Sequence, residues 1–207
     1  MGTESIESSF LSIFALTSFF VFLLVSRYSH KIKGGALLDK DFLKPQAFHD
    51  FPVTRSGGIA VITSLSIFFI IYYLLYAKVL YDYILISYSV FLVGFLDDLK
   101  INIKPLKRLA IMMFLLFIFI HVLPINILNI DIPFLTYLMS SHLFSSIFVL
   151  LCFLFVINGA NLIDGFNGLL TINLIIINIV LAYININNEN LEFSILLISQ
   201  IIILLSF

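Results

Sequence analysis

Two aspartates, Asp97 and Asp98, stand side by side at the end of the apolar run Val90-Phe91-Leu92-Val93-Gly94-Phe95-Leu96. Adjacent carboxylates repel each other, and at a helix C-terminus the macrodipole opposes them as well. A shared cation relieves both penalties, and Mg2+ is the usual partner of carboxylates near phosphates. Further along lies Asn158-Gly159-Ala160-Asn161-Leu162-Ile163-Asp164-Gly165-Phe166-Asn167-Gly168-Leu169, in which Asn158, Asn161, Asp164 and Asn167 recur every third residue. That period stacks them along a 3₁₀-like turn or fans them over half an α-helix. A carboxylate among amides suits a divalent ion, a diphosphate or a sugar, and it does not suit lipid. Earlier, His49-Asp50-Phe51-Pro52-Val53-Thr54-Arg55-Ser56-Gly57-Gly58 runs straight into an apolar stretch. Paired glycines before a helix let backbone N–H groups approach an anion, and Arg55 adds a bidentate phosphate contact. The chemistry implied is phosphate chemistry at a membrane surface. The bland alternatives are a solvated helix end with Asp–Lys pairing, an Asx-rich turn and a basic loop with a flexible entry.

The rest of the chain must hold these groups in a bilayer. It is 61% hydrophobic and 11% charged, against about 45–50% and about 25% in soluble domains. This composition excludes a soluble domain and predicts an all-α, polytopic membrane bundle forming a single domain over residues 1–207. Apolar runs near the length that crosses a hydrocarbon core predict seven helices, near 10–26, 59–77, 80–96, 107–123, 143–157, 169–184 and 191–207. Glu4 and Glu7 stand where a signal peptide would be basic, so the first run reads as a retained helix. The lone Cys152 cannot form an internal disulfide.

Basic residues set the expected sidedness. Arg27, Lys31, Lys33, Lys40, Lys44 and Arg55 fall in the first connection, and Lys100, Lys104, Lys107 and Arg108 in the third. Only Lys78 falls in the second. The positive-inside rule then puts the odd connections in the cytoplasm and the N-terminus outside. The fifth connection, taken as 158–168, has no Lys or Arg, yet alternation puts it on the same face. His121 and His142 flank the outer fourth connection and read as interfacial. His30 reads as part of the basic collar, Asp131 as a solitary outer-loop carboxylate, and the tyrosines from Tyr72 to Tyr83 as an aromatic belt.

Together the three polar segments resemble the polyprenyl-phosphate N-acetylhexosamine-1-phosphate transferases. The residues carrying the likeness are His49, Pro52, Thr54-Arg55 and Gly57-Gly58-Ile59, then Gly94-Phe95-Leu96-Asp97-Asp98, then Asn158 through Leu169. The last is the most specific, and the likeness spans roughly residues 10–184. It implies transfer of a sugar-1-phosphate, GlcNAc-1-phosphate first among the candidates, from a UDP-sugar to undecaprenyl or another polyprenyl phosphate. UMP is released, and a cell-envelope polysaccharide such as O-antigen of lipopolysaccharide, teichoic acid or peptidoglycan is begun. It also implies Mg2+, or Mn2+ in its place, and a cytoplasm-facing site in the bacterial inner membrane. By the same resemblance Asp97 is the base or a metal-linked carboxylate, and Asp98 a metal ligand or nucleophile-orienting partner. Asn161 and Asp164 line the metal–diphosphate site, Asn158 and Asn167 lie on the substrate side, and His49, Arg55, Gly57 and Gly58 hold phosphate.

Departures from the family pattern are Asn167, where many members have Asp, and Ala47 and Asp50, where the surroundings of the histidine are often basic. Members of the family carry about ten or eleven helices and a Gly-Asp-x-Gly-Ser-like motif beyond the seventh. The chain stops at Ser206-Phe207, so the resemblance predicts a truncated or split form. The partners expected are the lipid, the nucleotide sugar, and a second copy or a complementing C-terminal fragment, with no nucleic acid. Three other readings compete. A Mg2+-dependent intramembrane prenyltransferase would want Asp-x-x-x-Asp clusters, and a CDP-alcohol phosphotransferase Asp-Gly-x-x-Ala-Arg; neither pattern is present. An ion-coupled carrier would want charges at the midplane and broken helices, whereas here the charges crowd the connections.

Overall fold

In hydrocarbon a chain satisfies its backbone N–H and C=O groups only by pairing them internally, and runs this apolar can do so segment by segment as helices. The computed structural model describes residues 2–29, 38–39, 53–54, 56–98, 105–123, 130, 132–163 and 168–206. In chain order the elements are α1 Gly2–Ser29, β1 Leu38–Asp39, β2 Val53–Thr54, α2 Gly57–Tyr76, α3 Tyr81–Asp98, α4 Pro105–Val122, α5 Pro133–Met139, α6 His142–Ile163, α7 Leu169–Asn187 and α8 Leu191–Ser206. The stretches Ser9–Ser29, Gly57–Tyr76, His142–Ala160 and Leu169–Asn187 are long and apolar enough to cross a membrane. Tyr81–Phe95 and Leu191–Ser206 are shorter apolar helices. The protein is a polytopic helical membrane protein.

The seven expected helices correspond to α1 to α4 and α6 to α8. Three features depart from the sequence reading. The fourth connection contains the extra seven-residue helix α5, opened by Pro133 in its first turn, where the ring's fixed φ suits a helix start. Residues 158–163, placed by the sequence in the fifth connection, continue α6 to Ile163. The first connection contributes a two-residue antiparallel ladder pairing Leu38 with Thr54 and Asp39 with Val53.

The helices fall into two compact units, one of residues Met1–Leu80 with Asp164–Phe207 and one of Tyr81–Ile163. In the first, α1 packs on α2 and α8, α2 on α8, and α7 on α8. Its centre is aromatic: Phe14 and Phe68 are fully buried, with ring centroids 5.6 Å apart in an edge-on contact. Phe10 packs against Phe68 with ring centroids 5.9 Å apart, and Phe68 against Tyr72 at 5.7 Å. One turn further along α1, the fully buried hydroxyls of Ser18 and Ser64 meet at 3.4 Å. Small hydroxylated residues let helix backbones approach closely in lipid, where packing and interhelical hydrogen bonds replace the hydrophobic effect. The order Phe10–Phe68, then Ser18–Ser64, makes α1 and α2 antiparallel. At the far end of α2, Lys78 pairs with Glu192 at the start of α8, so α2 and α8 are antiparallel as well. An outward face of α7 that includes Ile172, Ile176, Val180 and Tyr183 is exposed, as a lipid-facing helix requires.

In the second unit α4 packs on both α3 and α6, and α5 on α6. The ring of His121, in the last turn of α4, lies 5.7 Å from that of His142, the first residue of α6. That contact fixes α4 and α6 as antiparallel neighbours.

Candidate functional site

Asp97 and Asp98 occupy the last turn of α3, which holds no basic residue. This turn is the negative end of the helix macrodipole, where a bound cation is favoured. Two adjacent carboxylates are residue types that suit a hard divalent ion such as Mg2+.

The start of the asparagine motif lies in the same unit. His121 and His142 pin one end of the α4–α6 pair, so the C-terminal turns of α6, with Asn158 and Asn161, lie towards the start of α4. Only residues 99–104 separate that start from Asp98, and α3 packs on α4. The Asp97-Asp98 turn and the Asn158–Ile163 turns thus share one end of this unit. Asn158 donates an amide hydrogen to the Leu154 carbonyl at 2.8 Å, so part of its hydrogen-bonding capacity is used within the helix. A Cβ at Gly94 or at Gly159 would meet nothing within 4 Å.

In the other unit Gly57 and Gly58, expected just before the second helix, are the first two residues of α2, behind an N-cap Ser56. The first backbone N–H groups of a helix have no partner within it. Ser56 and Gly57 border a cavity of about 310 Å³ with Phe22, Ser26, Ala60 and Ser206 in its wall. The cavity combines an apolar wall with hydroxyls from three helix ends. Ser26 and Ser206 had no signal in the sequence, since neither stands in a motif and only helix pairing brings them to Gly57. At the end of the asparagine motif, Gly168 caps α7 with φ 77° and ψ −7°. A left-handed residue costs an ordinary side chain about 1–2 kcal/mol, and a Cβ there has open space around it. Gly168→Ala should therefore lower stability by about 1 kcal/mol through the backbone alone, with Gly168→Asn intermediate. Denaturant titration of the detergent-solubilised protein, followed by helical signal, checks this. An alanine variant as stable as the parent would show that the left-handed cap is not required.

His49, Arg55, Asp164 and Asn167 lie outside the described residues, as do the side chains of Asp97, Asp98 and Asn161. Among the described residues no cluster of three or more His, Cys, Asp or Glu side chains is poised around a metal position.

A family model for glycosyl transferase family 4 matches residues 80–207, more than half of the chain. The chain belongs to this family. Searches of curated proteins and of solved structures return no match. The matched stretch of this family 4 glycosyl transferase contains both the Asp97-Asp98 turn and the whole Asn158-to-Leu169 motif. The His49-to-Gly58 segment precedes it, and its phosphate-binding reading rests on residue chemistry and on the cavity at Gly57. Membership makes the protein a membrane glycosyl transferase.

Proposed function

We propose that this glycosyl transferase moves a sugar-1-phosphate from a UDP-sugar to a polyprenyl phosphate, with GlcNAc-1-phosphate and undecaprenyl phosphate as the first substrates to test. The observation that carries the reading is the family match across both acidic and amide motifs, whose described parts lie at one end of one helical unit. A phosphate oxygen of the lipid attacks the sugar-linked phosphorus. The bond from that phosphorus to the bridging oxygen breaks, UMP departs with the oxygen, and a lipid diphosphate sugar remains. Such a transfer needs positioning and charge neutralisation more than covalent chemistry.

Asp97, Asp98, Asn161 and Asp164 are the proposed holders of Mg2+ or Mn2+, which when bound would neutralise the diphosphate. Asp97 would also accept a proton from the attacking phosphate. Arg55, His49 and the N–H groups of Gly57 and Gly58 would hold phosphate, and Asn158 and Asn167 would contact the nucleotide sugar. The charge distribution supports a cytoplasm-facing site in a bacterial inner membrane, serving cell-envelope polysaccharide assembly.

The test uses membranes containing the protein, Mg2+, UDP-GlcNAc labelled in the sugar and undecaprenyl phosphate. The expected outcome is a label extractable into organic solvent, formed together with UMP and lost on chelation. Uptake of label without a new lipid would favour an ion-coupled carrier. Label in lipid without UMP release would point to a different transfer.

A further inference from the structure

The end of the second unit remote from Asp97 and Asp98 carries a pair of imidazoles that the proposed chemistry does not use. His121 stands in the last turn of α4, a helix of 18 residues and so about 27 Å long. His142 opens α6. Their ring centroids are 5.7 Å apart at an interplanar angle of 71°, and both side chains are exposed. His121 is oriented twice over, by a ring contact with Phe117 at 4.3 Å and by Nδ1 at 3.0 Å from the Phe117 carbonyl oxygen. A carbonyl only accepts, so Nδ1 carries the proton and Nε2 presents its lone pair. A hydrogen bond on one ring nitrogen that frees the other is how metal-binding histidines are commonly held.

We propose that His121 and His142 bind one divalent transition ion, Zn2+ or Cu2+, and so clamp the ends of α4 and α6. Metal–nitrogen bonds of about 2.1 Å at a near-tetrahedral angle put two imidazole centroids roughly 5 Å apart. The observed centroid spacing of 5.7 Å is close to that value. The two helix ends already pack together, so little has to be ordered on binding. Water completes the coordination. Imidazole selects Zn2+, Cu2+ and Ni2+ over Mg2+, which prefers oxygen ligands, so this site is chemically separate from the acidic one.

The probe is the metal alone, added to full-length protein purified without a polyhistidine tag. Calorimetry should show one Zn2+ bound per chain, unchanged by excess Mg2+, with a Zn2+-dependent rise in melting temperature. His121→Ala or His142→Ala should weaken binding at least about tenfold, and the double variant should lose both the heat and the rise in melting temperature. The Cu2+-loaded parent should show nitrogen hyperfine coupling, a readout that does not depend on a variant folding. Undiminished Zn2+ binding in the double variant would overturn the proposal. So would loss of binding in Cys152→Ser, which would assign the ion to the exposed thiol of α6, or a Cu2+ spectrum without nitrogen coupling.

Discussion

Asp98→Asn should lower the rate of lipid-linked sugar phosphate formation by about 100- to 1,000-fold, the range seen when one preorganised charge is removed from a reaction centre. The substitution keeps the shape of the side chain and removes its charge. At the end of α3 an amide should be no less stable than a carboxylate, because the macrodipole disfavours the negative group. The variant should therefore fold as well as the parent or better, and lose turnover. Asp97→Asn should behave likewise. If Asp98 holds the metal, raising Mg2+ should recover part of the Asp98→Asn activity; if it only orients the nucleophile, added metal should change nothing. Rates measured over a range of Mg2+, beside helical content and melting temperature, separate these outcomes. Near-parental turnover in both variants would remove the carboxylate pair from the chemistry and leave the asparagine motif without its partner.

Phe14→Ala should destabilise the protein by about 3 kcal/mol, the lower part of the range for deleting a buried aromatic ring. The lower part applies because a membrane-embedded ring leaves lipid rather than water when it packs. Its loss then costs contacts and leaves a cavity, but little transfer energy. Phe14 is fully buried against Phe10 and Phe68, on helices α1 and α2 that build the Gly57 cavity. Unfolding in mixed detergent micelles measures the loss. Phe20→Ala, on an exposed face of α1, is the matched control and should change stability by less than about 0.5 kcal/mol. Equal effects at the two positions would mean that the α1–α2 contact does not hold the unit together.

The spans, their order and the polar segments between them were legible without coordinates. Apolarity along a chain is a local property, and a bilayer requires each run to solve its hydrogen bonding alone. For the same reason the Asp97-Asp98 turn could be assigned to a helix end before any fold was known. Boundaries were less legible where polarity misled. Asn158 and Asn161 were placed in a connection, yet α6 runs through them, and an Asn side chain can bond back to the carbonyl four residues earlier, as Asn158 does with Leu154.

Composition settled that the chain is a membrane helix bundle. Helix pairing alone settled the rest: the meeting of Ser18 with Ser64, of Lys78 with Glu192, of Ser26 and Ser206 with Gly57, and of His121 with His142. In water an apolar stripe announces which face of a helix is buried. In lipid both faces are apolar, so the sequence carries no such mark, and the neighbours are chosen by shape and by a few polar contacts.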